Sequence, residues 1–157
     1  MKTPPPHRSP ESIEQSVMYA LIKAAKTYIR LVGARLAPLG LQPGQDMFLR
    51  QLWIEDDLAQ SELIERLGVE PPTVTKALAR LEREGFLSRR KDRKDARVSR
   101  ISLTARGKKV RAPVEKIWAE VEALGTAGLT AAEIERLRKL ALQTYTNFKA
   151  AAAEDKA

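Results

Sequence analysis

Arg89, Arg90, Lys91, Arg93, Lys94, Arg97 and Arg100 place seven permanent cations within twelve positions. Just upstream, Thr73, Thr75, Lys76 and Arg80 set short hydroxyls and long cations at helical spacing. Hydroxyl, ammonium and guanidinium groups are the ones that bind phosphate oxygens and read base edges. Covalent chemistry, by contrast, lacks material. The 157 residues include no cysteine and a single histidine, His7. Disulfides, Cys-based zinc sites, thiol redox sensing and Ser-His-Asp triads all drop out. No enzyme, no metal and no cofactor is expected.

The charge distribution points the same way. From Lys76 to Arg111 there are 14 Lys/Arg and 4 Asp/Glu, a net of +10. The whole chain carries +8 from 28 basic and 20 acidic residues, so the remainder is −2. A solvated surface mixes its signs, whereas a segregated basic block fits a polyanion partner. Met1–Pro10 (MKTPPPHRSP) has no apolar segment of the kind a signal peptide needs, and no apolar run approaches the ~18 residues of a membrane span. A cytoplasmic protein with no membrane partner is expected.

The elements that must position these groups follow from periodicity. Hydrophobic residues make up 43% of the chain but aromatics only 5%, a composition of helices packed on helices. A long first helix, capped by Ser9 or Ser12, carries Ile13, Val17, Leu21, Ala24, Tyr28 and Leu31 at spacings of 3 and 4 and ends near Leu36. Pro43 suits the first position of a second helix bearing Phe48, Leu49, Leu52 and Trp53. Asp56 and Asp57 break that pattern, in loop and capping roles.

A short helix, SELIERL, ends at Gly68, and PTVTKALARLERE follows and stops at Gly85. The period then drops to two over 86–90 and 98–103, with a charged tip between: a β-hairpin. Asp92 and Asp95 would stiffen that tip by pairing with Arg93 or Arg97. Thr104 caps a fifth helix with the seam Val110, Val114, Ile117, Val121 and Leu124, which Pro113 kinks or restarts. Thr130 and Glu133 form a capping box for a last helix running to about Lys149.

The fold class is therefore mainly α with a small β-hairpin, in the order α-α-α-α-β-β-α-α. Residues 1–10 read as a flexible tail and 11–42 as an N-terminal dimerisation helix and linker. Residues 43–103 make the nucleic-acid-binding lobe, 104–149 the C-terminal dimerisation helices and 150–157 a frayed end. The outer helices cannot cover each other's apolar faces, so a twofold homodimer is expected, with Trp118 at the subunit interface.

Leu63, Leu67, Val74, Leu78 and Leu81 at these spacings, with Gly68 at the reversal, are what two short helices crossing through a tight turn require: a helix-turn-helix whose second helix enters the major groove. Ser61, Pro72, Thr73, Thr75, Lys76 and Arg80 then face the nucleic acid, and a basic hairpin with Arg89, Arg93, Lys94 and Arg97 follows as a wing suited to the minor groove. Arg97 reads either as a groove contact or as Asp95's structural partner. Thr73 and Thr75 read either as contacts or as helix-start residues.

The run SELIERLGVEPPTVTKALARLEREGFLSRRKDRKDARVSRISLTARGKKV resembles the DNA-binding lobe of MarR-family regulators. The likeness lies in the LGV turn, the PTVT-K helix, the LE-x-x-G-hydrophobic-hydrophobic step and a D-x-R wing closing on SLT-x-x-G. Three positions depart from that pattern. Ala59 stands where Thr commonly precedes helix 3, leaving Asp57 or Ser61 to cap it; Glu70 stands for Ser; Ala96 stands for a wing Arg.

The resemblance implies an obligate homodimer on a palindromic operator in double-stranded DNA. It implies a repressor released by a small aromatic or phenolic ligand, with Tyr28, Phe48 and Trp53 as candidates to line its pocket. The competing reading is an architectural DNA-binding protein without sequence preference.

Overall fold

The structure is a computed structural model and describes residues 12–154. The expected tail over 1–10, with Ser9, lies outside the described residues. The described chain runs α1 (Val17–Leu36), α2 (Gln45–Ile54), β1 (Leu58–Ala59), α3 (Gln60–Leu67), α4 (Pro71–Arg83), β2 (Leu87–Lys91), β3 (Ser99–Leu103), α5 (Ala105–Lys109), α6 (Arg111–Gly125) and α7 (Ala131–Glu154). Residues up to Val121 form one compact unit and those from Glu122 another. No helix among the described residues is long and apolar enough to cross a membrane.

The helix-turn-helix forms as its spacing predicts. Leu63, Val74, Leu78 and Leu81 are fully buried, together with Leu36, Leu49, Phe86 and Ile101. Gly68 takes φ 61° and Gly85 φ 76°, so each ends its helix in the left-handed region that glycine enters without a Cβ penalty.

Several helix starts differ from expectation. Ser16, not Ser12, caps α1, accepting from the Tyr19 N–H at 3.0 Å, and Ile13–Gln15 is a separate 3-10 turn. Pro43 precedes α2 by two residues, and its ring lies against Gly33 of α1, where a Cβ would meet it. Neither Asp57 nor Ser61 caps α3. Ala59 occupies the cap, and Glu62 supplies half a capping box by accepting from the Ala59 N–H at 2.6 Å.

Lys109 and Arg111 are separated by a turn, so α5 and α6 are distinct. Pro113 accounts for this: it has no N–H for the Lys109 carbonyl, four residues back. At the other end, α7 continues to Glu154 through the alanines at 150–153, strong helix formers, rather than fraying at 150.

The β-hairpin gains a third strand that the sequence reading missed. The sheet order is β1-β3-β2, with Leu58 opposite Ile101 and Ala59 opposite Arg100. Two residues are too short for a period to show. In the hairpin Arg90 lies directly opposite Arg100, a like-charge pair that is unfavourable alone. Asp57 resolves it. Its Oδ2 accepts from Arg90 at 2.6 Å and from Arg100 at 3.4 Å, and its Oδ1 accepts from the Ser102 hydroxyl at 2.9 Å.

Beside it, Asp56 accepts from the Leu103 N–H at 2.8 Å. The two acids that interrupt the α2 pattern thus tie the loop after α2 to the wing. Asp57 does so at φ 61°, a conformation that Asp tolerates better than most residues. Its carboxyl is held below the ordinary 3.8, first by the Ser102 hydroxyl and then by the two arginines. Asp92 at the hairpin tip is lowered first by accepting the Lys94 and Asp95 N–H groups.

Trp118, expected at a subunit interface, turns inward. Its Nε1 donates to buried Asp46 at 2.7 Å, and its ring meets Trp53 edge-on at 6.1 Å. By contrast α1 leaves Val17, Ile22 and Ile29 exposed, and α7 buries no residue, with Leu137, Leu140, Tyr145 and Phe148 all more than 45% exposed.

Gly107 in α5 packs flat on the backbone of Phe86, and a Cβ there would run into the Phe86 carbonyl oxygen. Gly107→Ala is expected to cost about 2–3 kcal/mol by overpacking, lowering the thermal midpoint by about 5–10 °C in calorimetry. Asp57→Ala should cost about 1 kcal/mol, because its charged hydrogen bonds are half-exposed. It should also speed hydrogen exchange of the hairpin amides, and unchanged exchange would rule out the bridge. Because the folded pKa values of Asp57 and Asp92 are depressed, their contribution is complete above the ordinary aspartate value. It is lost as pH falls through the lowered ones, so the wing should hold at pH 5 and loosen below about pH 4.

Candidate nucleic-acid interface

The residues singled out in the sequence all fall on three consecutive elements: the start of α3, helix α4 and the wing. Hydrogen bonding sorts them into two groups. Ser61, Pro72, Thr73, Lys76, Arg93 and Lys94 are exposed, and their side chains make no hydrogen bond or ion pair among the described residues. Lys76 and Arg93 are cations held in place only by their own backbone.

The second group is already engaged. Arg89 donates to Glu82 of α4 at 2.7 Å, and Glu82 also accepts the Arg89 N–H at 3.2 Å. That pair clamps β2 to α4, so Arg89 is as much a brace as a free cation. Arg80 donates to Glu84 at 3.0 Å and also to Gln42 in the α1–α2 linker. Arg97 donates through two nitrogens to Asp95, at 3.1 and 3.0 Å, while remaining 91% exposed at its side chain. The same contact lowers the Asp95 carboxyl. Of the two partners considered for Asp95, Arg97 is the one it takes, and Asp92 faces Arg100 at 3.7 Å rather than Arg93. Thr75 donates to the Pro71 carbonyl at 3.0 Å and accepts from Gln60 at 3.1 Å.

Gln42, Gln60 and Glu82 were not singled out as interface residues, yet each fixes one that was, and Asp57 fixes Arg90 and Arg100 beside them in the wing. No local signal marks the first three. Glutamine and glutamate on exposed helix faces are common, and their partners lie 38, 15 and 7 residues away.

The N-terminus of α4 has Glu70 at its cap position with no side-chain hydrogen bond. Its first two positions, Pro71 and Pro72, have no N–H, and the Thr73 and Val74 N–H groups both donate to the Glu70 carbonyl, at 3.0 and 3.2 Å, so these four positions leave no backbone donor for an anion. The helix start therefore presents the free Thr73 hydroxyl, with Lys76 one turn further on and the wing cations alongside.

The three aromatic residues considered for an effector pocket have other places. Phe48 is 6% exposed within the core. Trp53 donates to the Gly107 carbonyl at 2.9 Å and packs on Trp118. Tyr28 is on the exposed part of α1. A cleft of about 310 Å³ lies instead at the C-terminal end of α4, lined by Ala37, Gly40, Leu41, Gln42, Arg80, Glu84 and Arg106. Among the described residues there is no cluster of metal-binding side chains.

Residues 41–99 match the model of the MarR family. The chain is similar to a MarR transcriptional regulator from Methanosarcina mazei Go1, with 26% identity, a TM-score of 0.77, and coverage of 85% of this chain and 96% of that one. It is similar in fold to the transcriptional regulator SlyA at 22% identity, a TM-score of 0.79 and 85% and 94% coverage. The same holds for a MarR mutant from E. coli complexed with operator DNA, at 22% identity, a TM-score of 0.76 and 82% and 92% coverage. Over residues 41–99 this chain is thus similar to the MarR family, and it shares the winged helix-turn-helix fold of the solved structures it resembles.

Proposed function

We propose that the protein is a cytoplasmic, homodimeric transcriptional repressor that binds a palindromic operator in double-stranded DNA. The observation that carries this is the set of free, exposed donors and cations, Thr73, Lys76, Arg93 and Lys94, on successive elements of a winged helix-turn-helix. Helix α4 would enter the major groove, with Ser61 and Pro72 at its margin and Lys76 reaching a base edge or phosphate. Arg93, Lys94 and Arg97 would follow the backbone into the flanking minor groove. Arg80 and Arg89, already paired within the lobe, would reinforce the positive field. Support for the dimer comes from the apolar faces of α1 and α7, which the single chain leaves exposed. A second copy would bury them, and twofold symmetry would repeat the recognition helix on a second half-site.

Release by a small aromatic or phenolic acid is the part that rests on the family. The cleft lined by Arg80, Arg106, Ala37 and Leu41 would offer such an acid two guanidinium groups beside apolar surface, in competition with Glu84, which already pairs with Arg80. Phe48 and Trp53 are better explained by packing, and Tyr28 lies on the exposed part of α1.

The expected outcome in a gel shift is tight binding to a palindrome with half-sites about 10 base pairs apart. Lys76→Ala should weaken binding without dissociating the dimer. It should reduce the slope of log affinity against log salt by about 2, one phosphate-level contact per protomer. Affinity that grows with duplex length and ignores the palindrome would establish the architectural reading instead.

A further inference from the structure

The Thr75 hydroxyl has its partners inside the protein. A hydroxyl has one proton and two lone pairs. Here the proton goes to the Pro71 carbonyl and one lone pair takes the Gln60 Nε2–H. Turning the Gln60 amide over would only move that proton to Gln60 Oε1, still within the protein. Phosphate oxygens, guanine O6 and N7, and thymine O4 are all acceptors and need a proton. Thr75 has none to offer them.

Thr75 is nonetheless exposed on α4, one position before Lys76. With its hydroxyl turned back onto the helix, the side chain has left for a groove its methyl group and one lone pair, which only the adenine and cytosine amino groups could use. The apolar feature on a base edge in the major groove is the thymine C5-methyl. Resting on the reading that α4 enters the major groove, we propose that Thr75 recognises a thymine through methyl–methyl contact. Gln60, at the first position of α3, is the positioning residue that holds this rotamer. Thr73, whose hydroxyl has no partner, keeps the donor role that Thr75 gives up.

The test uses the full chain. A duplex library with a randomised centre is first selected for binding, and the recovered motif is then titrated by fluorescence anisotropy. Each thymine is replaced in turn by deoxyuridine, which removes the methyl and nothing else. At one position per half-site this replacement should weaken binding about four-fold, the worth of one methyl-sized apolar group. Thr75→Val should keep both affinity and that sensitivity, while Thr75→Ser should lose the sensitivity.

Gln60→Ala should reduce it too, with affinity for non-cognate DNA unchanged. That last measurement also shows that each variant is folded. Indifference of the unmodified protein to every uracil replacement overturns the proposal, as does normal uracil sensitivity in Thr75→Ser with weakened binding by Thr75→Val. If selection returns no motif at all, the groove-reading function fails and this contact fails with it. A motif that is indifferent to uracil removes the thymine contact alone.

Discussion

Two arginines face each other across the wing, and one aspartate makes that arrangement tolerable. Arg90 and Arg100 are register partners in the β2–β3 hairpin, and Asp57 accepts from both. Without it a hairpin this basic would repel itself at its middle. Because Asp57 comes from the loop after α2, the bridge also anchors the wing to the helical lobe. The next residues, Leu58 and Ala59, add a short strand to β3, and Ala59 then starts α3. Glu62 of α3 holds the Ala59 N–H and lies 3.6 Å from Arg100. The wing and the first helix of the helix-turn-helix are thereby built on one network.

A second clamp joins the wing to α4. Arg89 and Glu82 connect β2 to α4, and Thr104 ties the far end by donating to the Gly85 carbonyl at 2.6 Å while capping α5. Gly107 lets α5 lie directly on the Phe86 backbone. These contacts divide the basic residues into two kinds. Arg89, Arg90 and Arg100 are consumed in holding the lobe together, and Lys76, Arg93 and Lys94 are left outward. A charge count over 76–111 cannot separate them, since each arginine contributes the same +1 whether braced or free.

Much of the fold is legible in the chain because it is dictated by local periodicity. Val74, Leu78 and Leu81 bury one face of α4 at 3-4 spacing, Gly68 and Gly85 end helices where a left-handed residue is needed, and Thr104 and Thr130 cap the helices that follow. The departures have local physical causes as well. Pro113 splits α5 from α6, and Ser16 outcompetes Ser12 as a cap because the chain before it forms a 3-10 turn. Strand β1 escaped notice because two residues pair with β3 only after the chain has folded back by more than forty positions.

The amino-acid sequence by itself determined the helix-turn-helix, the wing and the polarity of the basic block, because turn chemistry, apolar spacing and net charge are properties of neighbouring residues. Only the tertiary structure decided which polar groups are free. The pairing of Thr75 with Gln60, Arg80 with Gln42, and the opposed arginines with Asp57 joins residues far apart in the chain. A hydrogen bond depends on distance and direction in space, and those exist only once the helices have packed.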